Sequence, residues 1–126
     1  MKDFRKLLVW QKAHEVTLEL YVITQKFPVE ERYGLTSQIR RSSASIGATI
    51  AEGCGKGSEV EFGRFLQMSS GSASELSYHL ILSKDLTYLS EAQFERLSAR
   101  VEEVRRMLAS LISKISASKR ARAAGA

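Results

Sequence analysis

Apolar residues recur along most of this chain at alternating steps of three and four, the spacing that gathers them on one face of an α-helix. Four stretches carry the pattern. In the first, Val9, Ala13, Val16, Leu20, Ile23 and Phe27 form a stripe, with Trp10, Thr17 and Tyr21 beside it. Phe27-Pro28 ends it, because proline disfavours helix in the residue before it. Asp3 is a candidate cap for an early turn. The second stretch starts near Gly34-Leu35-Thr36 and carries Leu35, Ile39, Ser43, Ile46 and Ile50. It is rich in small residues, and its serines and glycines are weak helix formers, so propensity alone would not favour a helix. Small residues let a neighbouring helix approach closely, so packing is expected to hold this segment in place. It ends in Gly53-Cys54-Gly55-Lys56-Gly57, with Gly53 suited to a left-handed cap.

In the third stretch Ser58 and Glu61 read as a capping box. Phe62, Leu66, Ser69, Ala73, Leu76 and Leu80 follow, predicting a helix over 59–85 of about 40 Å. Its middle, residues 69–74, is again small and is expected to face the small patch of the second segment. The fourth begins after Tyr88-Leu89-Ser90 with a second capping pair, Ser90 and Gln93. Its stripe is Phe94, Leu97, Val101, Val104, Leu108, Leu111 and Ile115, and its outer face alternates acid and base.

The links are short except around 28–34, and short links favour antiparallel neighbours. The expected architecture is all-α, an antiparallel up-down-up-down four-helix bundle over residues 1–116. Residues 117–126 read as a basic, disordered tail. Leu7, Leu8, Trp10, Phe65, Met68, Ile81, Leu82, Met107 and Ile112 fall outside the main stripes. They either widen the core or form an interface. Because large apolar patches are uncommon on monomers, a homo-oligomer is favoured.

Composition sharpens this picture. The chain has 126 residues, enough for one domain with its own core. A single cysteine and a single proline suit a helical protein of a reducing compartment. No apolar run is long enough for a signal peptide or a membrane span, so a soluble, cytoplasmic protein is expected. The formal net charge is +5. Lys114, Lys119, Arg120 and Arg122 close the chain with no acid among them. Without those four, 15 basic residues face 14 acidic ones, so the positive charge belongs largely to the tail.

Candidate chemistry is sparse. The glycine-rich link lacks the phosphate-loop pattern, since Gly57 follows Lys56 and Ile50 occupies the first glycine position. His14-Glu15 lacks the second histidine of a zinc-protease motif, Leu18 standing in its place. His14 is expected to be a partly buried structural residue. Cys54 would need a histidine beside it to act as a nucleophile, and nothing in the spacing supplies one. Glu52, near a helix C-terminus, is expected to pair with Arg40, Arg41 or Arg64. No enzyme activity, metal, cofactor or small-molecule substrate is expected. Arg40-Arg41 is the strongest basic feature outside the tail. Arginine suits phosphate recognition, while pairing with Glu30, Glu31 or Glu52 is the alternative. No basic groove interleaved with aromatics is evident from the spacing.

These residues also carry a resemblance. Leu8-Val9-Trp10-Gln11-Lys12-Ala13-His14, then Tyr21, Phe27-Pro28 and Glu31, are similar to the opening of the 23S rRNA-intervening-sequence proteins. Residues 33–41, Ser45-Ile46, Ile50-Ala51-Glu52-Gly53, Phe62, Phe65-Leu66, Gly71-Ser72 and Glu75-Leu76 continue it over roughly residues 4 to 90. Thr49 stands where the family usually has asparagine, and Gly47 where proline often follows Ser-Ile. The resemblance implies an antiparallel four-helix bundle assembled into a ring, commonly a pentamer, with no established enzymatic activity. It also implies similarity in fold to the accessory variability proteins of diversity-generating retroelements, which bind a reverse transcriptase and nucleic acid. The function expected is a non-enzymatic homo-oligomeric scaffold for RNA or a reverse-transcriptase-like partner. Candidate contacts are Arg40, Arg41, Lys119, Arg120 and Arg122. A protein–protein adaptor is the alternative.

Overall fold

A computed structural model describes residues 2–125. Four helices account for most of the chain: α1 (Leu8–Thr24), α2 (Leu35–Cys54), α3 (Glu59–Asp85) and α4 (Glu91–Gly125). Single 3₁₀ turns at Phe4–Lys6 and Val29–Glu31 precede α1 and α2. Each helix packs on the next in chain order and α4 closes against α1, giving the expected antiparallel bundle. No strand occurs among the described residues. No described helix is long and apolar enough to cross a membrane.

The stripes form the core. Val9, Ala13, Val16 and Leu20 of α1 meet Ile39, Ile46 and Ile50 of α2, and all are buried. Phe62, Leu66, Ala73, Leu76 and Leu80 of α3 and Leu97, Val101, Val104 and Leu108 of α4 complete it. The small patches of α2 and α3 do face each other. The hydroxyls of Ser45 and Ser72 share a 2.9 Å hydrogen bond, and Ser69 donates to the Ile46 carbonyl at 3.0 Å. On the other flank Thr17 donates to the carbonyls of Ala13 and Ser43. Buried hydroxyls are thus satisfied by backbone, as burial demands.

Several local expectations are corrected. Gly53 is not a left-handed cap. It lies inside α2, Gly55 caps the helix at φ −80°, and no described glycine has positive φ. A Cβ at Gly53 would sit 2.8 Å from Phe65 Cβ and 3.2 Å from Phe62 Cδ1, so this glycine serves close approach of α3. The sharp turn is made instead by Thr87, at φ 67° between α3 and α4. Ser58 accepts from the Glu61 amide, but the Glu61 carboxylate turns to Arg64, leaving the box half made. At Ser90 and Gln93 both bonds form.

Of the nine apolar residues outside the stripes, Phe65 is buried, and Leu7, Trp10, Leu82, Met107 and Ile112 pack against the core. Leu8, Met68 and Ile81 remain exposed. Residues 117–125, expected as a disordered tail, continue α4 as helix to Gly125, with every side chain exposed. Ala126, like Met1, lies outside the described residues.

Candidate nucleic-acid interface

The link between α1 and α2 folds back so that the end of α1 and the start of α2 lie side by side. Between them is an open groove of about 640 Å³. Tyr21 and Thr24 of α1, Arg32 and Tyr33 of the link, and Arg40 and Arg41 of α2 all line it. No carboxylate lines it. The carboxylate of Glu31, in the link, is engaged elsewhere: it accepts from the Leu35 amide and from the Tyr88 hydroxyl, each at 3.0 Å. That contact pushes the Tyr88 hydroxyl pKa up.

Arg40 is fixed in place. Its Nε donates to Thr24 Oγ1 at 2.9 Å and its Nη2 to the Tyr21 carbonyl at 3.1 Å. Its guanidinium lies over the Tyr21 ring, 4.8 Å from the centroid. The Tyr21 carbonyl is in the last turn of α1, where carbonyls lack helical partners and cations are favoured. Arg40 therefore also caps α1. Its Nη1 is not used by any of these bonds.

Arg41 is held differently. It donates to Gln38 Oε1 and contacts the Glu75 carboxylate. Glu75 also accepts from His79 Nε2 at 3.0 Å. His79, then Arg41, hold the Glu75 carboxyl below its ordinary pKa. His79 Nδ1 is buried without a hydrogen-bond partner among the described residues. Neither Arg40 nor Arg41 pairs with Glu30, Glu31 or Glu52, the acids suggested by sequence. Glu52 is exposed and pairs with none of Arg40, Arg41 and Arg64.

The remaining candidates lie at the other end of the bundle. Arg122 pairs with Glu59 at 3.3 Å. Lys119 shares a shallow pocket with Gly63 and Arg64 of α3. Arg120 is exposed. Arg41 meets Glu75, and Gly63 is 12 residues earlier on the same helix, so about 18 Å of helix rise separates the two basic regions. Arg40 and Arg41 are brought together in one groove; Lys119, Arg120 and Arg122 are not part of it.

The groove interleaves arginine with tyrosine, which the sequence did not reveal. Tyr21 is contributed by one helix and Arg40 by another, while Arg32 and Tyr33 sit in a link with no period. The available signal was Arg32-Tyr33 standing eight residues before Arg40-Arg41 across a helix start.

The catalytic constellation weighed from sequence is not assembled. Cys54 is buried and free, and burial pushes its thiol pKa up. The pocket beside it contains neither histidine nor Glu52. His14, expected to be partly buried, is exposed and stacked on Trp10 at 4.8 Å between centroids. Lys56 of the glycine-rich link lies over the Phe65 ring. No metal-binding cluster of His, Cys, Asp and Glu occurs among the described residues.

Fold and groove together define an antiparallel four-helix-bundle protein with a basic, tyrosine-lined corner at one end. The chain belongs to the 23S rRNA-intervening sequence protein family, whose model matches residues 5–110. A solved structure is similar: a protein of unknown function from the S23 ribosomal protein family of Bacteroides thetaiotaomicron VPI-5482. It is 27% identical, with a TM-score of 0.75, over 83% of this chain and 98% of that one. No curated protein matches the chain.

Proposed function

We propose that this protein acts by binding rather than catalysis, as a homo-oligomeric helical scaffold that engages RNA through its basic corner. The observation that carries this reading is the groove between α1 and α2, lined by three arginines and no carboxylate. Arginine's planar fork matches phosphate, and a rigid helical frame reduces the ordering cost of binding. Leu18 and Val22 on α1, and Met68, Tyr78 and Ile81 on α3, are exposed apolar residues available to an assembly. A ring, such as a pentamer, would repeat one modest groove several times and raise avidity. Lys119 and Arg120 would add a second, weaker basic region.

Filter binding with a structured RNA should show affinity that falls steeply with salt. Absence of binding at low salt removes the RNA reading and leaves the protein–protein adaptor, which the same exposed apolar residues favour. Analytical ultracentrifugation should give a species larger than one chain at micromolar concentration. A clean monomer would remove the oligomer.

A further inference from the structure

The arrangement of the groove says which form of nucleic acid fits it. Double-stranded RNA is gripped by shape, through contacts spread over about 16 base pairs. Here the cations converge instead on one concave corner of about 640 Å³, within the range of pockets that enclose a small organic ligand. Single strands are recognised by cations on the backbone combined with aromatic rings on which bases stack. Both parts are present. Tyr33 is 87% exposed and contributes nothing to the core, yet it stands at the groove wall with the Arg32 guanidinium 6.0 Å from its ring centroid. A planar aromatic face left in solvent beside a cation offers a stacking platform.

We propose that the groove takes an unpaired nucleotide, with its base stacked on Tyr33 and its phosphate held by Arg32 and the free edge of Arg40. This deepens the RNA reading above and rests on it. Arg40 arrives at its position already ordered by Thr24, the Tyr21 carbonyl and the Tyr21 ring. Its Nη1 is left as the donor for a phosphate oxygen. Arg41 contributes less, because Glu75 already neutralises it. Glu31 of the link places its two carboxylate oxygens on the Leu35 amide and the Tyr88 hydroxyl and does not line the groove. The shared chemistry is that of a single strand, whichever sugar it carries.

Fluorescence anisotropy of the full chain tests this with three labelled probes of about 12 nucleotides: oligouridine, oligothymidine, and a blunt RNA duplex of equal length. Oligouridine is expected to bind at least about tenfold more tightly than the duplex. Tyr33→Ala should weaken oligouridine binding about tenfold and leave the duplex unchanged, while Tyr33→Phe keeps wild-type affinity. Because Tyr33 is so exposed, an unchanged thermal melt will confirm that the variant folds. Oligothymidine bound like oligouridine supports recognition through base and phosphate alone. Oligothymidine bound much more weakly supports the same site with an added contact to the 2′-hydroxyl. Tyr33→Ala without effect on oligouridine overturns the proposal, and the RNA reading then stands on phosphate contacts only. Failure of all three probes and of structured RNA to bind at low salt overturns both.

Discussion

Gly53 is where two aromatic side chains of α3 come closest to the backbone of α2. A methyl group there would lie 2.8 Å from Phe65 Cβ, an atom that moves only with the helix itself. Gly53→Ala is therefore expected to lower stability by about 1–3 kcal/mol, measured by urea denaturation. Gly71, exposed in mid-helix with open space around it, is the control, since alanine there should be neutral or stabilising. The sequence marked the Gly53-Cys54-Gly55 run as a helix end but could not say which glycine serves close contact, because the contact comes from α3. Glu75 joins α3 to α2 through its contact with Arg41. Its carboxyl pKa is depressed in the folded chain, so the stabilisation it supplies is present above the ordinary carboxylate range of about 4 to 4.5. That stabilisation is lost as pH falls through the lower, folded value. Glu75→Gln should then cost stability at pH 7, and the cost should fade at the acid end. Urea midpoints of both proteins across pH 3–7 check this, and a pH-independent difference would contradict it. His79 and Arg41 are four and 34 positions from Glu75. The first spacing was readable as a helical pair, but the second depended on how α2 packs on α3.

The helices themselves were legible from periodicity. The third stretch was expected over 59–85, and α3 spans Glu59–Asp85 because its cap and its apolar stripe agree. The conformation of the link that follows α3 was not legible. The link at 86–90 contains no glycine, and Thr87 accepts the left-handed conformation that glycine usually takes. For a β-branched residue this costs roughly 1–2 kcal/mol. Thr87→Gly should raise the thermal midpoint modestly, the gain being reduced by glycine's greater freedom when unfolded. The apolar stripe of α4 ends at Ile115 and the charged residues beyond it are all basic, which reads as a tail from residue 117. Yet residues 117–124 are alanine, serine, lysine and arginine, most of them good helix formers, with no glycine before Gly125. Because every side chain there is exposed, deleting 117–126 should leave the melting temperature nearly unchanged. The lost Arg122–Glu59 pair is a surface contact of small value. A large drop in the melting temperature would mean that the segment packs in an assembly.

At the scale of the whole molecule, the fold was readable and the candidate site was not. Arg40 and Arg41 stood out as a basic pair, but their surroundings were assigned to the wrong acids. The groove combines a helix end, a folded-back link and a helix start, and no periodicity encodes that meeting. The same reasoning separates the tail cations from it, since an antiparallel bundle sends the end of α4 to the opposite pole. In the proposed function RNA binding resides in the α1–α2 corner, with the tail a lesser contributor. The most direct measurement is the slope of log affinity against log salt for oligouridine, with the wild-type chain and Arg32→Gln. Arg32 makes no ion pair among the described residues, so its loss should not disturb the fold. Each phosphate neutralised on a single strand contributes about −0.7 to the slope. Binding through this corner requires that Arg32→Gln bind more weakly, with a slope shallower by about that amount for each groove engaged. Equal affinity and equal slope in the two proteins would contradict it.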